Sequence, residues 1–546
     1  MNLFRSWKMF LVFSTFRPVQ TSRQWFPSSS NFPSWQVRQL RADDLSSLTV
    51  QLALLPSAFE QVCTVHYPAV HWLNDDILLG IFNCYRLDEK NRWNRRLGWC
   101  KLTHVCQRWR RLIYECSSYL GMHIRYTNGS PMVNTLDHLL LLPLVVSYSL
   151  DFFKLVPTVQ KQDELGIYHT LQLRDHIRHI HLDLPPPILH KVLMLMDETF
   201  PILEHLSLSM FSTASGHLAH RLPLTLPNAF LASNLRHLIL FDIGLPKRLR
   251  MLASTVSLVT LELRNIQTSS YFRPRLLVAR LRSLPLLEKL TIEFFIPIPR
   301  PSTERELLGE KRTPVTLPSL KILRFCGVGA YLESLVAQIR VPLLEELKIE
   351  LFNQIASVLP HLFDLINITE VFKLGRAIIG FYPHEVSVAI NVSPGATPFD
   401  LCVRCMPLGW QFDSAAQICD ALVPTLSSAE ELSLVFDCHQ ESSTEMQNGA
   451  IDSASWHNLL RGFIGVKTLD IDDTLTEELS RVLQVDEVGS DSGFLPNLQS
   501  IHAEDNRFAS FIDTRQAVGR PVEFFQLEVA PRSLPSSRPS SVVVSL

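Results

Sequence analysis

The stretch N-L-R-H-L-I-L-F, from Asn234 to Phe241, decides the fold of this 546-residue chain. It contains the unit L-x-x-L-x-L, in which the last two apolar residues point to one side of a short strand and the residues between them point to the other side. The unit recurs along the chain at intervals of roughly 23 to 33 residues where it is clear. Clear copies begin at Ile177, Leu203, Leu235, Leu258, Leu287, Leu320 and Leu344, and weaker copies begin at Ala429, Val466 and Leu498.

Helical patterns lie between these units, for example at residues 188–199, 276–284 and 332–339. A steady alternation of strand and helix predicts an α/β fold with a parallel sheet and helices on its outer face. Because one repeat cannot close its own core, neighbouring repeats must stack, as in a degenerate leucine-rich-repeat horseshoe. Residues 353–423 fit the pattern poorly, and the sequence leaves open whether they hold degenerate repeats or an insertion.

A second kind of pattern precedes the repeats. Residues 72–82 read W-L-N-D-D-I-L-L-G-I-F, and residues 102–112 read L-T-H-V-C-Q-R-W-R-R-L. Each segment has apolar residues at helical spacing, which predicts two short amphipathic helices. A module of roughly 45 residues cannot bury both apolar stripes by itself, so we expect a partner to cover part of them.

Composition limits the function classes. The net charge is −2, which gives no global signal for nucleic acid. The hydrophobic fraction is 46%, but no apolar run reaches the roughly 20 residues that span a bilayer, and residues 138–150, broken by Pro143, are interpreted as a buried strand after a loop. The ten cysteines have no framework spacing, which is typical of a reducing compartment, so we expect a cytoplasmic or nuclear location.

These patterns predict five segments. Residues 1–65 form a basic, acid-poor and poorly ordered arm, residues 66–120 the helical module, residues 121–170 a connecting segment, residues 171–527 the repeat domain, and residues 528–546 a disordered tail rich in Ser, Pro and Arg.

If the repeats stack in register, the outward strand residues form one continuous surface for a target protein. The residues predicted to bind the target are His179, His205, His237, Glu262, Arg264, Lys289, Arg324 and Lys348. The three histidines occupy the same place in three successive repeats, and parallel strands lie roughly 4.8 Å apart, so their rings can stack as a ladder. Such a ladder is either a pH-sensitive or phosphate-binding patch, or a set of tolerated half-exposed strand residues.

Other constellations carry weaker signals, and we expect neither a metal nor a cofactor. His176, His179, His181 and Asp183 have a spacing that can hold a metal, but no cysteine or second cluster supports them. Cys402 and Cys405 form a lone C-x-x-C, which favours two packed thiols. The acids that follow one late strand, Asp470, Asp472 and Asp473, resemble a metal-binding cluster but also suit the polar end of a repeat strand.

The helical module resembles an F-box, the short module that docks substrate receptors onto the Skp-type adaptor of cullin–RING ubiquitin ligases. The usual pattern is L-P-x-E-I-L-x-x-I-F followed by V-C-x-x-W-R-x-L. Two departures stand at its start, where Asn74 replaces the usual proline and Asp76 the usual glutamate. The resemblance implies that the adaptor-binding residues are Leu73, Ile77, Leu78, Ile81, Phe82, Leu102, Val105, Cys106, Trp109 and Leu112.

The combination of this module with the repeats is similar to the large F-box family of mushroom-forming fungi. The similarity covers about residues 67–527 and includes F-A-S-F-I-D-T-R-Q-A-V-G-R-P-V at residues 508–522. It implies a receptor of an SCF-type ligase that binds the Skp-type adaptor, and through it a cullin–RING ligase, together with an unknown protein substrate. It implies no enzyme activity in this chain.

Three alternatives stay open. The spacer between the two helices, with Lys90, Arg92, Arg95, Arg96 and Lys101, is basic and contains tryptophans, which fits an acidic adaptor or a solvated helix better than nucleic acid. The chain can also be an adaptor-bound or free interaction scaffold outside ubiquitylation. An enzyme that uses the three late acids or the histidine column would need a closed pocket around those side chains.

Overall fold

The structure is a computed structural model with two compact units, Met1–Asn74 and Asp75–Leu546. Of the first unit only Leu73 and Asn74 are described. The described residues are 73–90, 100–116, 124–126, 143–149, 159–210, 224–246, 249–295, 314–352, 359–373, 375–391, 397–437, 453–489, 495–504 and 507–526. The predicted arm and tail, residues 1–65 and 528–546, lie outside these ranges.

Twenty strands are present in the described part of the second unit. They are β1 (Ile124–Tyr126), β2 (Leu144–Tyr148), β3 (Ile177–Leu184), β4 (His205–Met210), β5 (Leu224–Thr225), β6 (His237–Phe241), β7 (Ile243–Gly244), β8 (Thr260–Ile266), β9 (Lys289–Phe294), β10 (Val315–Thr316), β11 (Ile322–Gly327), β12 (Ile339–Arg340), β13 (Glu346–Phe352), β14 (Arg376–Tyr382), β15 (Glu385–Asn391), β16 (Phe399–Arg404), β17 (Glu431–Phe436), β18 (Thr468–Ile471), β19 (Ser500–Ala503) and β20 (Glu523–Gln526). Sixteen of them form one sheet, and the short pairs β5–β7 and β10–β12 lie outside it.

The main sheet is parallel from β1 to β13 and again from β14 to β20, in the order β1-β2-β3-β4-β6-β8-β9-β11-β13-β16-β15-β14-β17-β18-β19-β20. Every clear copy of the L-x-x-L-x-L unit contributes a strand, as the sequence predicts. Strand, helix and strand in this order, with a parallel sheet, make a leucine-rich-repeat-like architecture.

Residues 353–423 depart from the predicted parallel order. Strand β15 runs antiparallel to both β14 and β16, and the three strands enter the sheet in reverse, so that β16 pairs with β13 and β14 pairs with β17. The sequence left this segment open; the structure shows a three-stranded meander inserted between two parallel blocks, with the parallel direction restored by β14.

The described helices mostly follow the strands. They are α1 (Asp75–Lys90), α2 (Cys100–Thr103), α3 (Gln107–Glu115), α4 (Lys161–Gln172), α5 (Pro186–Leu195), α6 (Arg250–Ser254), α7 (Pro274–Leu281), α8 (Gly329–Val336), α9 (Pro360–Ile368), α10 (Leu408–Ala421), α11 (Val423–Leu426), α12 (Ser453–Leu460), α13 (Asp473–Gly489) and α14 (Ala509–Ala517). Successive helices from α6 to α9 pack on one another, as do α10, α12, α13 and α14, and form a second layer over one face of the sheet.

The core lies between the sheet and this helix layer. Leu206, Leu238, Leu261, Leu290 and Leu323 stand in one row of the register across β4, β6, β8, β9 and β11, and each is fully buried. Burial of one such side chain contributes about 1.5–3 kcal/mol relative to exposure. The leucines of the repeat unit therefore pack against the helices, and the residues between them lie on the opposite face of the sheet.

Polar side chains link successive repeats at the turns before the strands. The side-chain amide of Asn234 donates to the carbonyl oxygen of Pro201 (2.6 Å), 33 residues earlier, and that of Asn497 donates to the carbonyl oxygen of Ile464 (2.8 Å), also 33 residues earlier. The equal separation shows that one contact recurs at equivalent turns. These bonds satisfy turn carbonyls that no strand partner reaches.

Helix α9 begins on a side chain from its neighbour α8. The carboxylate of Glu333, buried in the helix layer, accepts hydrogen bonds from the backbone N–H groups of His361 (2.8 Å) and Leu362 (3.2 Å). These are first-turn donors that the helix itself cannot satisfy, and a carboxylate suits the positive end of the helix. Glu333 thus joins two helices where the parallel block gives way to the meander.

The sheet begins earlier than the boundary that the sequence suggested. Residues 121–170 were expected to be only a connecting segment, but β1 and β2 pair in parallel with each other and β2 pairs with β3. Strand β2 is the buried strand expected in residues 138–150. Among the described residues, no helix combines the length and the apolar character needed to cross a bilayer.

Candidate functional site

The face of the sheet opposite the helix layer, here called the open face, carries the residues predicted to bind a target. The register places His179 beside His205, His205 beside His237, His237 beside Thr260, and Thr260 beside Lys289. The predicted in-register stacking is therefore confirmed from β3 to β9, and it continues through β11 to β13. All eight predicted target-binding residues lie on strands of this face.

The histidine ladder, defined as His179, His205 and His237, has the predicted geometry. The ring centroids of His179 and His205 are 5.8 Å apart, and those of His205 and His237 are 5.6 Å apart, with the rings tilted by 56° and 38°. Nδ1 of His237 lies 3.1 Å from Oγ1 of Thr260 on the next strand, which fixes the orientation of that ring. The three imidazoles thus form one row across β3, β4 and β6.

Burial keeps two members of the ladder, His205 and His237, uncharged near neutral pH. It lowers the pKa of His205, with a further lowering from the neighbouring His237 and His181, and it lowers the pKa of His237, assisted by Arg236. A histidine whose pKa lies below its usual value of about 6.5 is neutral at pH 7. His205 and His237 therefore offer lone pairs and N–H donors at that pH, and supply little positive charge for a phosphate.

The charged part of the open face begins at β8, where Glu262 is buried between two cations. One oxygen of its carboxylate lies 2.7 Å from Nζ of Lys289, and the other lies 2.7 Å from Nη2 of Arg264. Burial pushes the pKa of Glu262 up, but the hydrogen bonds and charges of Lys289 and Arg264 outweigh it and hold that pKa below its usual value. Glu262 therefore positions two of the predicted binding residues rather than presenting itself to a partner.

A second ion-pair group lies on β11 and β13. The guanidinium of Arg324 donates to Oε1 of Glu346 through Nε and Nη2, both at 2.8 Å, and Nζ of Lys348 lies 3.6 Å from the same oxygen. All three side chains are partly exposed. They therefore hold one another in place and stay accessible to a ligand.

Two acids deeper in the charged part carry raised pKa values. Burial raises the pKa of Glu293, against Arg264 at 3.9 Å, and the nearby carboxylates of Glu350 and Glu262 raise it further. Burial also raises the pKa of Glu350, which pairs with Arg404 of the meander. In the register Glu293 and Glu350 flank the same residue of β11, so two acids of reduced acidity stand two strands apart.

The late acids that resembled a metal site take separate roles. The carboxylate of Asp470 pairs with Arg376 of β14 and lies 2.8 Å from Nδ1 of His502 on β19. Asp472 accepts from the backbone N–H of Thr474 at 3.3 Å at the start of α13. The side chain of Asp473 lies outside what the structure describes. Asp470 thus anchors an ion-pair cluster on the open face, while Asp472 caps a helix.

The other candidate metal groups likewise show no convergence. Cys402 lies on β16 and Cys405 follows it; both thiols are free and buried, and burial raises both pKa values. Within the described ranges, no group of three or more His, Cys, Asp or Glu side chains is placed to hold a metal ion.

The helical module is built on an aromatic contact between its two main helices. The rings of Phe82 on α1 and Trp109 on α3 meet edge to face, with centroids 4.9 Å apart. The guanidinium of Arg108 donates to Oδ1 of Asp75 at 2.6 Å, which ties α3 to the first residue of α1. The two segments predicted to be amphipathic helices are therefore packed helices.

Burial divides the residues that the F-box resemblance assigns to the adaptor. Five are buried and hold the module together: Leu78, Phe82, Leu102, Trp109 and Leu112. Leu73, Ile77 and Cys106 are half-buried. Ile81 and Val105 are exposed, at 37% and 39%. The five buried side chains therefore pack inside the module, whereas Ile81 and Val105 are the exposed members of the set.

Several open-face residues escaped the sequence-based selection. Glu346 pairs with the predicted residue Arg324, and Arg404 pairs with Glu350, one of the two acids of raised pKa. Arg376 and His502 both contact Asp470. A signal for Arg404 was present in the sequence, since Asp400, Cys402 and Arg404 alternate with the apolar residues Phe399, Leu401 and Val403, which is the period of a strand. Most of the basic spacer, with Arg92, Arg95 and Arg96, lies outside the described residues.

Comparison with known proteins gives a limited result. No model of a known protein family matches the chain, and no curated protein matches it. Among solved structures, the chain is similar to the leucine-rich repeat-containing protein LegL7 from Legionella pneumophila, with 13% identity and a TM-score of 0.24, over 73% of this chain and 98% of that protein. A likeness at that score adds nothing to the fold assignment, which rests on the parallel strands and their register.

Proposed function

We propose that this chain is a substrate receptor of an SCF-type ubiquitin ligase. In this account the helical module binds a Skp-type adaptor, and through it a cullin–RING ligase, while the open face of the sheet binds a target protein. The receptor makes and breaks no bonds itself. It raises the local concentration of a lysine-bearing target near a charged ubiquitin-conjugating enzyme.

The observation that carries the proposal is the pairing of α1 and α3. These helices contain the two halves of the F-box-like pattern, and they pack through Phe82 and Trp109. The same arrangement leaves Ile81 and Val105 at the surface, where large apolar side chains mark a site of protein contact when several lie together. The repeat sheet in the same chain supports the second half of the proposal, because its open face is polar, ordered by ion pairs and partly exposed.

Co-purification with a fungal Skp-type adaptor tests the proposal. We expect adaptor to be retained by the wild type and lost by the double variant Ile81→Asp, Val105→Asp, which places charge at two exposed positions and leaves the buried packing intact. Met406→Asp is the matched control, because Met406 is 70% exposed and lies in the repeat sheet region. Absence of adaptor from folded wild type, or equal retention by all three proteins, contradicts the proposal.

A scaffold that binds proteins outside ubiquitylation is the alternative, and the polar open face favours it equally. Such a scaffold is either bound to the adaptor or free of it, so adaptor binding alone does not separate the two accounts. Ubiquitin transfer to a captured target in a reconstituted ligase separates them.

A further inference from the structure

The histidine ladder is the feature of the open face that the proposed receptor function leaves unexplained. Three imidazoles on adjacent strands recur at one register position, whereas the following strands place Thr260, Lys289, Ile322 and Glu346 there, so the repeat unit itself does not require histidine. Their ring centroids are 5.8 and 5.6 Å apart. An ion of tetrahedral preference that holds two imidazole nitrogens at about 2.0–2.1 Å places the two ring centres roughly 5 to 6 Å apart.

We propose that the ladder binds a divalent transition ion of the zinc class, held between the central His205 and one of its neighbours, with water in the remaining positions. In this site one nitrogen of each of two rings binds the ion, and the hydrogen bond between His237 and Thr260 is kept. His205 takes part in both possible pairs, so it is the ligand common to every arrangement.

The chemistry of the imidazole ligands fits a metal cation better than it fits an anion. Metals bind the neutral imidazole, and burial disfavours the charged form of His205 and His237. Imidazole is a preferred ligand for Zn²⁺, Ni²⁺ and Cu²⁺, whereas Mg²⁺ and Ca²⁺ prefer oxygen. A phosphate would instead need cationic rings.

The surroundings orient the ladder and place charges of both signs beside it. With the ring hydrogen of His237 on Nδ1, donated to Oγ1 of Thr260 at 3.1 Å, the lone pair of Nε2 is left for an ion, as in metal sites whose ligands are fixed by a second hydrogen bond. The nearest charges are mixed: Glu204 pairs with Arg178 at 2.9 Å, and Arg236 precedes His237.

Titration of untagged, chelator-treated full-length protein with Zn²⁺ tests the site, with Mg²⁺ as the oxygen-preferring comparison. We expect binding of Zn²⁺ by the wild type, no binding of Mg²⁺, and a loss of at least about tenfold in Zn²⁺ affinity for His205→Gln, since even the hydrogen-bond partners of metal ligands are worth 10- to 100-fold. His502→Gln is the matched control, because His502 is an open-face histidine already bonded to Asp470.

Two further variants keep the test decisive if His205→Gln fails to fold. His179→Gln and His237→Gln each remove one of the two possible pairs, so each should weaken Zn²⁺ binding less than the two combined. Zn²⁺ binding that is unchanged in all ladder variants, that falls equally in His502→Gln, or that is missing from folded wild type overturns the proposal. Adaptor co-purification is independent of these variants, so failure of the metal site and failure of the receptor function are distinguishable.

Discussion

Phe82 and Trp109 meet edge to face across α1 and α3, with ring centroids 4.9 Å apart and an interplanar angle of 66°. Both side chains are buried. An aromatic pair of this kind contributes about 0.5–1.5 kcal/mol beyond the burial of its area. The pair explains why a short helical module is held together by residues that a sequence pattern alone assigns to a docking surface.

Replacement of Trp109 should therefore disrupt the module before it disrupts any interface. We expect Trp109→Ala to lower the free energy of local unfolding of α1 and α3 by about 3–5 kcal/mol, because it leaves a cavity under Phe82. Hydrogen exchange of the amides in the two helices measures this value. Ile81→Ala, at an exposed position, should change it by no more than about 0.5 kcal/mol; similar protection in Trp109→Ala and the wild type would contradict the packing role.

The cap on α9 gives a second prediction. Glu333→Ala leaves the backbone N–H groups of His361 and Leu362 without their carboxylate partner in a buried place. We expect a loss of about 1–3 kcal/mol in the free energy of unfolding, measured by urea denaturation. Glu345→Ala is the control, because Glu345 is an exposed acid nearby, and an equal effect of the two substitutions would count against the cap.

Acid should weaken the fold through the histidine ladder. The pKa values of His205 and His237 are lowered in the folded state, so between those values and the unfolded value of about 6.5 the unfolded chain binds more protons. Stability is then complete above about pH 6.5 and falls as the pH drops below it. Denaturation curves at pH 7.5 and 5.5 should show a smaller difference for His205→Gln than for the wild type; an identical difference would refute the link.

The raised pKa of Glu293 changes stability with pH in the opposite direction. A raised carboxyl pKa gives stability that is present below the unfolded value of about 4.3 and is lost as the pH rises through the folded value. At pH 7 the charged carboxylate is thus a net cost, and Glu293→Gln should raise the melting temperature at pH 7 but not at pH 4. A lower melting temperature at pH 7 would show that the contact with Arg264 outweighs burial.

The parallel part of the fold was predictable because the L-x-x-L-x-L pattern indicates both that a strand forms and which of its residues face the core. In L-x-x-L-x-L the buried and outward positions alternate, so stacking of the copies brings His179, His205 and His237 together without further information. The reversed meander was not predictable in this way. Its strands are buried at most positions and lack the two-sided alternation of the repeat unit, and local periodicity does not encode the direction or order in which strands pair.

The sequence also did not predict which residues of the helical module are buried. Helical periodicity places Leu78, Ile81 and Phe82 on one stripe, but it does not say which side of the stripe another helix covers. Packing of α3 decides it, since Phe82 lies under Trp109 and Ile81 lies beside that contact. Likewise, Arg376 and Asp470 are 94 residues apart, and only the reversed order of the meander brings their side chains together.

The measurement that tests the receptor account most directly is the molar mass of the purified chain mixed with a purified Skp-type adaptor, determined by light scattering during size-exclusion chromatography. The account predicts a single peak with the mass of a one-to-one complex for the wild type and for Met406→Asp, and two separate peaks for Ile81→Asp, Val105→Asp. Two separate peaks for folded wild type would contradict it and leave the chain as a leucine-rich-repeat-like protein without an adaptor.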